Sequence, residues 1–288
     1  MDERAALALI GRELPAAGDD CAVVGEQVLT TDMLHERTDF PDGTTRYTAG
    51  WRAVGASLSD VAAMGAAATA AVAVYAAPAF EAGDLRAFVD GASEVCAAVG
   101  AEYVGGDLDD HEEFTVATTA LGRTDDPVLR DGAAPGEAVC VTGTLGRSAA
   151  ALRLFGTDDV RANDLFRFEP RVAAGRALAT HATAMMDSSD GLARSLHQLS
   201  EASDCGFDVE YDAVPVDSAV RAVADDGEDE REMALHFGED FELVFATPDP
   251  EAAAAASPVP VARVGTVTDA GVRMDGEPLP DRGYTHGA

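Results

Sequence analysis

The sequence predicts an α/β (α+β) protein in two domains, 1–126 and 127–288. Three observations carry this. Short apolar runs with strand character recur along all 288 residues. Between them the apolar spacing changes to the three-and-four pattern of helices. Near 124–136 a stretch rich in Asp, Pro and Gly, "RTDDPVLRDGAAPGE", separates two strand-like runs.

In chain order, the acidic opening "MDERAALALI" has no signal-peptide character. "AAGDDCAVV" is a glycine turn leading into a strand, and "QVLTTD" is a strand that Asp32 is expected to end. The segment 44–65 is a helix with Trp51, Val54, Gly55, Leu58 and Val61 or Ala62 on one face. The uncharged run "VAAMGAAATAAVAVYAAPAF" is too alanine-rich to insert well in a membrane. It reads as a helix end, a turn at Gly65 and a buried strand. A helix over 84–100 follows, capped by the glycine after Val99. "AEYVGGD", "EFTVATTALG" and "EAVCVTG" are strands, and "GTLGRSAAAL" is a glycine-rich strand-to-helix turn. "TAMMDSSD" is a strand that runs into the helix "DGLARSLHQLSEAS". The acidic "DDGEDERE" reads as a solvated loop, and "PDPEAAAAASP" as a surface helix entered through proline. "FELVFAT" and "PVARVGTV" are further strands.

Acidic residues number 52 against 20 basic ones, a formal net charge of −32, and every basic residue is arginine. Such a surface repels nucleic acid and anionic membrane, and it suits a salt-rich cytoplasm. The four cysteines, Cys21, Cys96, Cys140 and Cys205, are far apart and read as small buried hydrophobes of a reducing compartment.

In so acidic a chain a pair of aspartates carries little weight, but position does. Asp32 and Asp107 are placed at the ends of apolar strands, and Asp187 and Asp190 follow "AMM". Asp19 and Asp20 sit in a turn before a strand, and Asp60 lies among small apolar residues on a helix. Each has an ordinary alternative. Asp190 can cap the helix starting at Gly191, and Asp60 can pair with Arg52. Converging together, they would repel strongly unless cations lay between them. The donors on offer are carboxylates, the hydroxyls of Thr30, Thr31 and Ser189, and carbonyls. All-oxygen ligation selects hard ions such as Mg²⁺, and several Mg²⁺ ions with a nucleotide follow naturally. Without lysine, a phosphate loop of the G-x-x-x-x-G-K-[ST] type is impossible, so phosphate charge falls to metal ions and arginines, Arg130 and Arg147 first. No hydrolase triad or metalloprotease pattern is present.

One ordered set of motifs spans nearly the whole chain: "GDDCAVV", "TTDMLHERTDF", "ASLSDVAAMGA", "YVGGD", "VLRDGAAPGEAVCVTGTLG", "DSSDGLARSL" and "GEDFELVF". The set resembles the thiamine-monophosphate kinase family, within the AIR-synthase-like superfamily of ATP-using enzymes. The resemblance implies a two-domain fold whose N-terminal domain contributes to a β-barrel in a homodimer, beside a C-terminal α/β domain. It implies a metal cage of Asp20, Thr30, Thr31, Asp32, Asp60, Asp107, Asp187 and Asp190. ATP would meet Asp90, Gly106, Asp107, Arg130 and Ser189. Thiamine monophosphate would meet Glu239, Tyr284 and position 39, where Asp39 replaces the family's usual histidine. The implied reaction moves the ATP γ-phosphoryl group onto the acceptor's phosphate and needs no general base. Other members of the superfamily, AIR-synthase-like or selenophosphate-synthetase-like, and a non-catalytic nucleotide-binding homologue are the alternatives.

Overall fold

The structure, a computed structural model, describes residues 9–11, 13, 14 and 17–284. Most of the acidic opening stretch and the last four residues of "GYTHGA" lie outside these residues.

The N-terminal half contains β1 (Ala22–Val24), β2 (Gln27–His35), α1 (Glu36–Asp39), α2 (Arg46–Ala63), β3 (Ala67–Ala77), α3 (Ala82–Ala98), β4 (Glu102–Asp110) and β5 (Thr115–Arg123). Its five strands form one sheet in the order β1-β2-β5-β3-β4, antiparallel except for the β3–β4 pair. The C-terminal half begins with β6 (Ala138–Thr142), α4 (Arg147–Leu154), α5 (Asp159–Phe166), α6 (Val172–Leu178), β7 (Ala184–Asp187) and α7 (Leu192–Ser203). It continues with β8 (Gly206–Val209), a 3₁₀ turn, α8 (Ser218–Val223), α9 (Gly227–Leu235), β9 (Leu243–Thr247), α10 (Pro250–Ala256), β10 (Val261–Thr268), β11 (Gly271–Met274) and β12 (Glu277–Pro278). Its seven strands follow the order β12-β11-β8-β10-β6-β9-β7.

Helix α2 is the pivot. Fourteen of its 18 residues are buried, far more than the single face that its spacing indicates. A helix apolar on every side is a core helix, and α2 shares one apolar cluster with β3, α3 and β5 on one flank and with β6, α6, β7 and β9 on the other. Its closest neighbour is α3. A Cβ on Gly50 would come within 2.2 Å of the Phe88 carbonyl oxygen, and one on Gly91 within 2.0 Å of the Tyr47 carbonyl oxygen. The two glycines therefore set how near the helix backbones lie.

Several local readings differ from what the sequence suggests. Strand β2 continues through Met33 and Leu34 to His35, so Asp32 lies inside a strand rather than at its end. β4 likewise runs past Asp107 to Asp110. The acidic 225–232 stretch is mostly helix α9, because Asp226 accepts from the Glu228 and Asp229 amides and caps it. Helix α7 takes Gly191 as its N-cap, with φ +101° and no capping side chain, so Asp190 does not fill that role. The Gly65 turn (φ +65°) and the strand after it are as expected, and no helix among the described residues is long and apolar enough to cross a membrane. The four cysteines are buried and unpaired.

Replacing Gly91 by alanine should push α3 off α2 and cost about 1–3 kcal/mol, the usual penalty for overpacking. A lowered unfolding midpoint in a denaturant titration checks it; an unchanged midpoint contradicts the close-packing account.

Candidate active site

Four carboxylates meet where the N-terminal sheet, α2 and the end of β7 come together. Oxygens of Asp20, Asp60 and Asp187 lie within 4.8 Å of one another. Each comes from a different element: the turn before β1, the last turn of α2 and the final residue of β7. Asp32 adjoins them from β2 and accepts from the Ser57 hydroxyl at 2.6 Å. Asp60 accepts from the Thr30 hydroxyl at 2.6 Å rather than pairing with Arg52. Arg130 grips Asp20 with two contacts, Nε at 3.1 Å and Nη2 at 2.8 Å.

Burial and mutual repulsion dominate the electrostatics. Burial, then the charges of Asp32, Asp187 and Asp20, push the Asp60 carboxyl well above the usual range. Burial first and Asp20 second raise Asp187 to about 7, which Arg130 offsets only in part. The Ser59 hydroxyl offsets it too, although no hydrogen bond of ordinary geometry joins them. Asp32 is raised by burial and by Glu239, against the Ser57 hydrogen bond. Asp19 is raised to about 6 by burial and Asp20. The Cys21 thiol, buried beside these acids, is pushed up as well and stays protonated. The Asp187 Oδ2 atom is buried without a hydrogen-bond partner. An orphaned carboxylate oxygen aimed into a set of like charges fits a divalent cation, and the all-oxygen donor set fits Mg²⁺.

Other expected cage residues are not brought to this point. Thr31 alternates to the opposite face of β2 from Thr30 and Asp32, where its hydroxyl donates to the Thr118 carbonyl at 2.7 Å. Asp107 is exposed on β4, three strand spacings from β2, or about 14 Å across the sheet. The Asp190 carbonyl accepts from the Tyr284 amide at 3.2 Å, and the Asp190 charge bears on the Tyr284 hydroxyl. Asp90 is on the exposed side of α3.

Gly106 and Asp107 instead line an open groove of about 610 Å³ between α3 and β4, with Tyr75, Phe88 and Tyr103. A Cβ on Gly106 would fall 1.6 Å from the Ala73 carbonyl oxygen, so only glycine fits there. Ser189 is half-buried, and its carbonyl accepts from the Glu239 amide at 2.6 Å. The start of α4 offers no phosphate site. The Asp240 carboxylate already accepts from the Gly146 amide at 2.5 Å and the Ser148 amide at 3.0 Å, and burial raises it to about 7. Arg147 faces away, onto the Leu165 and Asp164 carbonyls.

The three acceptor-side residues do converge. Asp39, Glu239 and Tyr284 line a cavity of about 190 Å³ with Phe40, Phe166 and Phe237. The Tyr284 hydroxyl approaches Asp39 at 3.4 Å, and Asp39 also accepts from the His35 amide at 2.7 Å and the Thr38 hydroxyl at 2.8 Å. His35 itself turns to Thr115. The cavity adjoins the carboxylate cluster, since Glu239 bears on Asp32 electrostatically and its backbone is tied to Ser189. Sequence reasoning missed the orphaned Ser188 hydroxyl, the Asp240 cap and the pairing of Arg52 with Glu239. The one available signal was an arginine in the otherwise apolar "GWRAVGA".

Residues 18–124 match the family pattern of the AIR synthase related protein, N-terminal domain, and residues 134–275 that of its C-terminal domain. Fold and site together thus define a two-domain AIR-synthase-related protein. Over 99% of its length the chain is 64% identical to the whole thiamine-monophosphate kinase of Halobacterium salinarum. It is 40% identical to that of Methanospirillum hungatei, again over 99% of both chains. The solved structure of AaThiL complexed with AMPPCP and TMP superimposes with a TM-score of 0.90 at 28% identity, covering 99% of this chain and 97% of that one. The chain belongs to the thiamine-monophosphate kinase family.

A carboxyl whose folded-state pKa is raised stabilises the fold while protonated, and this contribution is lost as pH rises through the raised value. In chelator, the protein should therefore lose stability between pH 6 and 8, by on the order of 1 kcal/mol from Asp187 alone. Calorimetric melting at constant high salt measures it. Asp187→Asn or saturating Mg²⁺ should flatten the profile; an equal slope in all three would contradict the cluster's electrostatics.

Proposed function

We propose that the chain transfers the γ-phosphoryl group of ATP to the phosphate of thiamine monophosphate, giving thiamine diphosphate and ADP. The observation that carries this is the buried carboxylate cluster abutting a cavity that is also acidic but is walled by aromatic rings. Thiamine's thiazolium ring is a cation. Asp39 and Glu239 supply negative charge for it, and Tyr284, Phe166 and Phe237 supply aromatic surface.

Asp20, Asp32, Asp60 and Asp187, with Thr30 as support, are the residues that would hold Mg²⁺. Bound there, Mg²⁺ would neutralise the phosphates and the charge developing in transfer. The chain's own work is positioning. Asp187 and Ser189 end one loop that faces both the cluster and Glu239, so donor and acceptor phosphates are held side by side. Arg130 has a fork at the edge of the cluster that suits a phosphate oxygen as well as Asp20. The acceptor oxygen is already anionic near neutral pH. It attacks the γ-phosphorus as the bond to the β-phosphate oxygen breaks, and ADP leaves with that electron pair. No side chain need remove a proton.

The groove between α3 and β4, with Gly106, Asp107 and the nearby Asp90, has the size of a nucleoside site. A homodimer belongs to the same reading. Leu29 and Met33 of β2 and Val72 and Val74 of β3 leave apolar side chains exposed on the outer face of the N-terminal sheet, where a second copy would close a barrel. The division at 126/127 would then leave both sites shared, with Asp20, Asp32, Asp60 and Asp39 from the pairing domain and Asp187, Glu239 and Tyr284 from the C-terminal domain. Four unpaired cysteines suit a reducing, cytoplasmic setting.

Purified chain in high salt with ATP, Mg²⁺ and thiamine monophosphate should form ADP and thiamine diphosphate one for one. Asp60→Asn and Asp187→Asn should each lower the rate by about 10²–10³ with the fold intact by circular dichroism. Turnover at the wild-type rate in both variants would overturn the metal assignment, and turnover of another acceptor alone would overturn the substrate. Val74→Asp should convert the dimer to monomer in light scattering.

A further inference from the structure

Arg52 has no part in the reading above, yet it is the most deeply buried arginine among the described residues, 2% exposed. It rises from α2, in the N-terminal half, and every partner of its guanidinium lies in the C-terminal half. Nη1 donates to the Phe166 carbonyl and, at 3.3 Å, to the Ser148 hydroxyl; Nη2 donates to Glu239 Oε2. The guanidinium stacks 3.6 Å from the Phe166 ring centroid, with Phe168 and Phe241 at 5.3 and 5.7 Å. Those last two rings stack on each other at 4.1 Å.

Burying a charge this fully is costly, and a buried ion pair is a poor way to gain stability. What such a pair does well is fix one geometry. Here it fixes Glu239, whose φ of +61° and whose amide hydrogen bond to the Ser189 carbonyl already set its backbone. A planar fork that bonds a carboxylate, a carbonyl and a hydroxyl while lying on an aromatic face is a task for arginine, not lysine.

We propose that Arg52 is the positioning residue of the acceptor pocket: it locks the Glu239 carboxylate beside the cavity and thereby sets the affinity for thiamine monophosphate. This rests on the thiamine-monophosphate kinase reading. Arg52 acts through Glu239 and touches neither substrate. Its loss therefore weakens acceptor binding and leaves the ATP side alone.

The test is steady-state kinetics of the full chain, varying each substrate at saturating levels of the other, with melting curves for every variant. Arg52→Gln should raise KM for thiamine monophosphate about tenfold or more, with KM for ATP unchanged and kcat within about threefold. Arg52→Lys, which keeps the charge but not the fork, should fall between. The double variant Arg52→Gln, Glu239→Gln should be no worse than Glu239→Gln alone, because the two residues act as one unit. Multiplying effects in the double variant, equal rises in both KM values, or a loss confined to melting temperature would each overturn the proposal. If Arg52→Gln does not fold, Arg52→Lys carries the test, and an unchanged acceptor KM there overturns it. Failure of the wild-type chain to turn over thiamine monophosphate would sink the functional reading instead.

Discussion

Carboxylates that crowd into a buried site cannot all keep their charge unless something positive joins them. In this fold the constraint falls on Asp20, Asp32, Asp60 and Asp187, and much of the architecture serves to impose it. The four come from a turn, a strand, a helix and a second sheet's edge strand. No local segment could assemble them. They meet because the two sheets clamp the same helix, and each bond that orients one of them crosses between elements: Ser57 to Asp32, Thr30 to Asp60, Arg130 to Asp20. Stability is traded for readiness to bind cations, as expected of a site built for phosphoryl transfer.

Helix α2 makes the arrangement rigid. It carries Ser57 and Asp60 toward the cluster and Arg52 toward the acceptor pocket. Its glycines and alanines let α3 and α6 approach closely: a Cβ on Gly175 of α6 would lie 2.0 Å from the Ala62 carbonyl oxygen. One stiff element thus sets the spacing of the carboxylate cluster and the aromatic cavity, and the loop 187–190 stitched to 238–242 sets it from the other side. Glu239 belongs to both sides. It faces the cavity, bears on Asp32 and is held by Arg52.

Much of this was legible in the sequence, for identifiable reasons. Asp187 after "AMM" and Asp60 within "SLSDVAAMG" carry weight by position, each with an ordinary alternative when taken alone and less so when taken together. The long strands and helices followed from their apolar periods. Strand alternation alone sets the Thr31 hydroxyl on the opposite face from Thr30 and Asp32. Asp107 could not be placed from local pattern, because sheet order is a long-range property and the parallel β3–β4 crossover puts β4 at the far edge. Strands β8 and β11 have only four residues each and show too little alternation to read. Arg52 was legible as odd but not as functional, since its partners lie roughly 100 to 190 residues away in sequence.

Within the cluster, Asp60 and Asp187 are the groups that burial and repulsion lead to hold protons, and divalent cations displace those protons. Calorimetric titration of the chelator-treated protein with Mg²⁺ at pH 7, in two buffers of different ionisation enthalpy, counts those protons directly. Net proton release on Mg²⁺ binding, abolished in Asp187→Asn, is the predicted result. Mg²⁺ binding with no proton release, or with the same release in Asp187→Asn, would contradict it.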